Sequence, residues 1–207
     1  QPWGDLGIDI GLGLPIDKKA APSEYMFLPD YVESGFDHAS IQQNGTVVPL
    51  VKEKVIIYDA REEEIPAGPP HPLLVFGLVA LACIVISVLD YKKKKLSLWL
   101  DVVLFGATGL VGCMLFFLWF FTDHNDAAYN LNLLWALPTN LIALLALKRK
   151  PLWLEKYFLV SAIIQGLLLV TWWVLPQQLN TALIPVAASL LMRSLLYYGL
   201  RKPAVLQ

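Results

Sequence analysis

Residues 96–121 read LSLWLDVVLFGATGLVGCMLFFLWFF. One charged residue, Asp101, stands near the start; the rest is apolar, small or weakly polar. A helix needs roughly 17–25 apolar residues to cross about 30 Å of hydrocarbon, and this run supplies them without interruption. Working outward, Leu73–Leu89, Leu131–Leu147, Tyr157–Leu175 and Leu183–Leu200 have the same character. The first and third runs are at the short limit, which local bilayer thinning or flanking anchors accommodate. As buried helices of a soluble fold, five such runs leave too little polar surface. The expectation is an integral membrane, all-α protein, with a five-transmembrane-helix bundle over residues 73–200.

Composition agrees. Of 207 residues, 57% are apolar and 16% charged, against a usual 45–50% and about 25%. With a mean hydropathy of +0.56, both an ordinary soluble globule and a disordered chain, which needs low hydrophobicity and high net charge, are excluded. Cys83 and Cys113 both lie in apolar runs, which excludes a disulfide scaffold and a Cys-rich metal site. The net charge of −1 conceals an asymmetry: residues 1–71 hold 5 Lys/Arg against 12 Asp/Glu, or −7, and the remainder 11 against 5, or +6. The basic residues of the second half flank hydrophobic runs, so membrane rather than nucleic acid is the implied partner.

Lys92–Lys95 lie between the first and second runs, and Lys148, Arg149, Lys150 and Lys156 between the third and fourth. Arg201 and Lys202 follow the fifth; the connections 122–130 and 177–180 carry neither Lys nor Arg. By the positive-inside rule the basic ends, including a tail at 201–207, are cytoplasmic and residues 1–64 are outside. In a bacterium that is the inner membrane with a periplasmic N-terminal segment. Trp119, Trp135, Trp153, Trp172 and Trp173 sit where an aromatic belt is expected.

Residues 1–64 form a different kind of segment. Gly4, Gly7, Gly11, Gly13 and Pro15 make the opening turn-rich. Pro29 can start a short helix. Ser40–Gln43 and Thr46–Tyr58 read as strands joined by Asn44-Gly45, a two-residue hairpin signal; a glycosylation sequon overlaps it. Few large apolar residues are present, too few for a core of its own. A Pro-rich linker, 65–72, leads into the membrane. No charged n-region or apolar h-region follows Gln1, so the chain reads as the tail, or one piece, of a longer polypeptide.

Two polar groups stand out. FFTDHNDAAYNLNLLWALPTN, residues 120–140, carries Asp123, His124, Asn130, Asn132 and Trp135. His titrates near neutral pH and a neighbouring carboxylate can orient it, which makes a polar site at the outer surface one reading; a solvated loop with helix caps at Asn130 or Asn132 is the other. Arg193 lies within the fifth run, about 12 Å from Arg201 at 1.5 Å per residue. A charge at membrane depth is paired or functional by default. Asp101 is the expected partner, with Asn140 at similar depth; a snorkelling Arg193 is the alternative. Gln165, Thr171 and Ser189 are candidates for weak cross-helix bonds, and Pro138 and Pro185 for tolerated kinks. Gly106-Ala107-Thr108-Gly109 permits close helix packing but lacks the strand and Lys-Ser/Thr of a phosphate loop. No HExxH, CxxC, GxSxG or Walker motif occurs, and no nucleophile–base pair, metal site or cofactor site can be assembled.

PWGDLGIDIGLGLPIDKKAAPSEYMFLPDYV (2–32), FFTDHNDAAYNLNLLWALPTNLI (120–142) and NTALIPVAASLLMRSLLYY (180–198) together resemble the C-terminal half of the Lnb-type lipoprotein N-acyltransferases of Bacteroidota. The resemblance implies a papain-like extracytoplasmic domain, of which residues 1–64 are the α+β end, followed by a five-span membrane domain. It implies a cysteine acyl-transfer enzyme, in which a thiolate carries an acyl chain as a thioester and passes it to the N-terminal cysteine amine of a diacylated lipoprotein. Membrane phospholipid and the lipoprotein are the implied partners. The family's Cys and His lie upstream of this chain, so no catalytic residue is carried over and the chain alone is expected to be inactive. Asp123, His124, Asn130, Asn132, Trp135 and Arg193 match family positions and are expected to face lipid or substrate, or to pair inside the membrane. A related cysteine amidase or peptidase, and a non-catalytic anchor or assembly subunit of an envelope complex, are the alternatives.

Overall fold

The computed structural model describes residues 1–58 and 68–201. Residues 65–67 of the expected linker, and the tail after Arg201, lie outside the described residues. The chain divides into two compact units, one built from Gln1–Asp17 with Gly68 onward, the other from Lys18–Ala67. The first 17 residues thus group with the apolar helices, not with the remainder of the 1–64 segment.

The smaller unit is α+β. It holds α2 (Pro22–Tyr25), α3 (Pro29–His38) and the hairpin β1 (Ser40–Gln43) and β2 (Thr46–Pro49). Asn44 and Gly45 both have positive φ, 51° and 83°, as a twist-matched two-residue turn requires. The second strand stops at Pro49 rather than running to Tyr58; Leu50 donates one last bond to Ala39 and pairing then ends. The Ala21 N–H and the Lys18 ammonium, both bonded to Glu24, hold its carboxyl below the usual carboxylate range. No residue between 18 and 58 is buried.

In the larger unit four helices are long and apolar enough to cross a membrane, among the described residues. They are α4 (Pro72–Lys93), α5 (Leu98–Phe121), α7 (Leu152–Thr171) and α8 (Ile184–Arg201), the last entered through a short turn at Thr181–Leu183. Their patterning is inverted relative to a soluble bundle. On α4 the buried residues are Pro72, Cys83, Ser87 and Asp90, while Leu74, Leu78, Leu81, Ile84 and Val88 are exposed. Such a large exposed apolar surface is suited to lipid. Phe105 of α5, Phe158 of α7 and Tyr197 of α8 form a ring stack, with centroids 5.2 and 4.2 Å apart, that ties three helices together.

The run Leu131–Leu147 is not a continuous spanning helix. It is a 3-10 turn at Leu131–Leu134, a non-helical link, and a seven-residue helix α6 (Asn140–Ala146). Pro138 accounts for the break: it lacks an N–H and disfavours helical backbone at the residue before it. Pro185, by contrast, falls in the first turn of α8, where proline is tolerated, and breaks nothing. The broken segment lies against the glycine face of α5. Gly106 faces Leu144, Gly109 faces Leu141 and Asn140, and a Cβ on Gly112 would collide with the Ala136 carbonyl and Pro138 nitrogen.

Among the tryptophans, Trp153 and Trp173 are exposed, as a belt requires, but Trp135 and Trp172 are core residues. Gly112→Ala is expected to destabilise the bundle by about 1–3 kcal/mol, because backbone must move to admit the methyl. Gly77→Ala on α4, which meets no atom within 4 Å, is expected to be neutral or stabilising. Thermal unfolding of the two variants in detergent distinguishes them.

Candidate functional site

The opening segment, expected to be turn-rich, is the helix α1 (Pro2–Gly11). Three glycines make it a weak helix, each costing about 1 kcal/mol relative to Ala, so its stability has a tertiary source. Leu6 is buried, and the Trp3 ring sits edge-on to Phe76 of α4 while its N–H reaches the Pro70 carbonyl at 2.8 Å. The larger contribution is at the C-terminal end. The last carbonyls of a helix have no intrahelical partner. Here Asn132 donates to the Asp9 carbonyl at 2.8 Å, Asn130 to Ile10 at 2.8 Å, and Gln177 to Leu12 at 2.9 Å. Asn180 donates to the Asp9 carboxylate at 2.8 Å.

The amides of that cluster are satisfied in the other direction as well. Gln177 accepts the Leu131 N–H at 2.6 Å, Asn130 caps the 3-10 turn through the Asn132 N–H at 2.9 Å, and Asn132 accepts the Trp135 indole at 2.8 Å. Of the expected lipid- or substrate-facing residues, Asn130, Asn132 and Trp135 are therefore buried and bonded inward. They seat α1 on the bundle.

Asp123 and His124 lie elsewhere. With Asn125, Asp126, Leu118 and the glycine face of α1 they line a cleft of about 850 Å³. Gly4, Gly7 and Gly11 share that face, and a Cβ at any of them would meet no atom within 4 Å. The glycines thus create the space. Gly13, one residue beyond the cap, donates to the Asp126 carbonyl at 2.7 Å, and a side chain there would strike the Ala128 carbonyl. The His124 ring has a defined tautomer. The single Thr122 hydroxyl proton goes to the Leu118 carbonyl at 2.6 Å, so the 2.8 Å contact with His124 Nδ1 requires Nδ1 to donate. The neutral ring then carries its lone pair on Nε2.

A second polar group lies at the opposite, lysine-rich end of the helices. Arg193 of α8 is fully buried. Its Nε donates to Asp101 of α5 at 2.6 Å, and one terminal nitrogen to Asp90 of α4 at 2.8 Å and to Ser87 at 3.2 Å. Asp90 also accepts the Ser97 N–H and hydroxyl at 2.8 and 2.7 Å, which fixes the α4–α5 connection. One guanidinium therefore joins three helices. Asn140 is not part of this group: it accepts from Tyr157 at 2.6 Å and donates to Thr108 at 3.2 Å.

Sequence reasoning missed Asp90, which reads as part of the lysine-rich loop that follows it. It also missed the pairing of Gln177 and Asn180 with a segment more than 160 residues away. Depth was the available signal for Asp90, since it lies one helical turn before the end of α4. Arg193→Met leaves two buried carboxylates facing one another and is expected to cost about 3–5 kcal/mol. Adding Asp101→Asn to that variant is expected to restore part of the loss. Unfolding temperatures of the wild type and both variants in detergent test this.

The comparisons with known proteins bear on the larger unit from Gly68 onward and not on its first 17 residues. No match is found among curated proteins or among solved structures. The family described as the Lnb transmembrane domain matches residues 63–203, more than half of the chain. That span takes in all four long helices, the broken segment, the cleft turn at Asp123–Asp126 and the Arg193 group, and the chain belongs to the Lnb transmembrane domain family.

Proposed function

We propose that this chain is the membrane part of a lipoprotein N-acyltransferase, and that the cleft between α1 and the Asp123–Ala127 turn receives the acceptor substrate. The observation that carries the reading is the cleft itself. A helix seated by four amide side chains presents three glycines to a space of about 850 Å³. Asp123, Asp126 and the lone pair of His124 Nε2 suit an ammonium group, while Ile8, Leu12 and Leu118 suit an alkyl chain. A lipidated N-terminal cysteine has both. The catalytic Cys and His belong, on this reading, to an upstream papain-like domain whose end is the smaller unit. That unit's complete lack of buried residues over 18–58 supports its being a fragment of a larger fold.

The topology follows the charges. Lys92–Lys95 and Lys148–Lys150 are cytoplasmic and the amide cluster and cleft are periplasmic, in a bacterial inner membrane. Leu131–Leu147 is the fifth crossing, made by a broken segment. In support, Asn130 at its start joins the amide cluster, while Leu147 at its end shares a cavity with Lys94, Leu98 and Leu200. Irregular backbone at membrane depth is tolerated where protein covers it, and α5 and α7 cover this segment.

Gly7→Leu tests the assignment. Leucine improves helix propensity, so α1 persists, but the side chain enters the cleft. In cells whose only copy of the gene is the variant, mass spectrometry of lipoprotein N-termini is expected to show N-acylation reduced about ten-fold or more at unchanged protein level, in line with a blocked binding site. N-acylation at the wild-type level would overturn the assignment of the cleft.

A further inference from the structure

Asp123 and Asp126 line the cleft of about 850 Å³ beside α1, and no Lys or Arg lines it. Among the described residues neither carboxylate has an ion-pair or hydrogen-bond partner. Two unpaired carboxylates attract an ammonium group, and for the same reason they stabilise its protonated form. An ammonium has no lone pair and cannot attack a carbonyl carbon. A cleft that receives an amine for acyl transfer therefore needs a group that removes a proton.

His124 has the required form. Its Nδ1–H donates to the Thr122 hydroxyl at 2.8 Å, and that hydroxyl donates to the Leu118 carbonyl at 2.6 Å. The His124 backbone N–H lies 3.4 Å from the same hydroxyl oxygen. The ring is thus anchored through Nδ1, and among the described residues nothing bonds to Nε2, its basic nitrogen. The other groups lining the cleft are unsuited. Asp carboxylates, with an ordinary pKa of about 3.9 against about 6.5 for His, are much weaker bases, and the Asn125 amide is not a base. From α1 and α5 only Gly4, Gly7, Ile8, Gly11, Leu12 and Leu118 reach the cleft, none of them titratable. We infer that His124 is the base that takes a proton from the acceptor's α-ammonium, an inference that rests on the acceptor reading of the cleft. One ammonium proton passes to Nε2 and from there to water, since His124 is exposed. The nitrogen lone pair so freed attacks the carbonyl carbon of an acyl thioester. The C–N bond forms, the C–S bond breaks, and the departing sulfur takes the nitrogen's surplus proton, leaving an amide and a thiol. Nδ1–H keeps its bond to Thr122 throughout, so the ring needs no reorientation.

The test uses the full-length gene product in detergent, loaded with an acyl chain from phospholipid and then mixed with a diacylated lipopeptide. The maximal rate of acyl discharge and the half-saturating lipopeptide concentration are read for the wild type and for His124→Gln. Glutamine can still donate to Thr122 but is not a base. At a pH of about 7 the variant is expected to lose about 10²–10⁴-fold in maximal rate, with the half-saturating concentration unchanged. The deficit is expected to shrink about ten-fold by a pH of about 9, where the acceptor passes the ordinary α-amino pKa of about 8 and loses its proton unaided. Hydroxylamine, unprotonated at neutral pH, is expected to discharge both proteins equally. A variant as fast as the wild type overturns the inference. So does a deficit that is the same at every pH, a change confined to the half-saturating concentration, or slower discharge by hydroxylamine. Gly7→Leu in the same assay separates the two readings. If it blocks discharge while His124→Gln does not, the cleft stands and the base falls; if it discharges normally, the acceptor reading falls as well.

Discussion

The arrangement depends on how the chain between Asn130 and Asn140 satisfies its backbone. It runs among apolar helices with only isolated turns of its own backbone bonds, such as Leu133 to Asn130 and Ala136 to Asn132, in place of a continuous helical ladder, and an unpaired buried amide costs several kcal/mol in such a place. The structure meets that constraint with neutral side chains. Gln165 of α7 donates to the Leu134 carbonyl at 3.0 Å, and Gln177 takes the Leu131 N–H. At the α6 start, Thr139 donates to Tyr157, Tyr157 to Asn140, Asn140 to Thr108 and Thr108 to the Leu104 carbonyl, so each hydroxyl proton in the chain of bonds is used. The glycines of α5 complete the fit by letting irregular backbone approach where a helix would otherwise stand off.

The same constraint explains the N-terminal helix. Once Asn130, Asn132 and Gln177 are in place to hold the broken segment, their remaining donors point outward to the carbonyls of α1. A poor helix former is thus fixed by groups already needed elsewhere. Its glycines are then free to face the His124 cleft, because α1 is held by its carbonyl end and by Trp3 and Leu6 on another face. At the far end of the bundle Arg193 has the corresponding role with charge instead of amides, joined to Asp101 and Asp90.

Legibility in the sequence followed locality. The four long helices, the Asn44-Gly45 hairpin and the helix starting at Pro29 rest on short-range pattern and were readable from it. Arg193 was conspicuous because a cation among leucines is costly wherever it sits. The third run misled because its apolar content matches that of its neighbours. Pro138 and the asparagines, which prevent a continuous helix, are individually compatible with a kink and a cap. Helix α1 was unreadable from propensity, since its stability comes from side chains more than 100 residues away. Asn130, Asn132 and Trp135 were noticeable as polar and aromatic residues in the right place, but whether they face lipid or protein is a matter of tertiary packing.

The proposed broken crossing is the claim on which the topology rests, and it can be tested at its two ends. Single cysteines at Asp126 and at Arg149, in a chain with Cys83 and Cys113 replaced, are labelled in intact cells with a membrane-impermeant maleimide before and after the inner membrane is permeabilised. If Leu131–Leu147 crosses the bilayer, the cysteine at 126 reacts before permeabilisation and the one at 149 only afterwards. Reaction of both from the same side would show that the segment enters and returns, and would contradict the account.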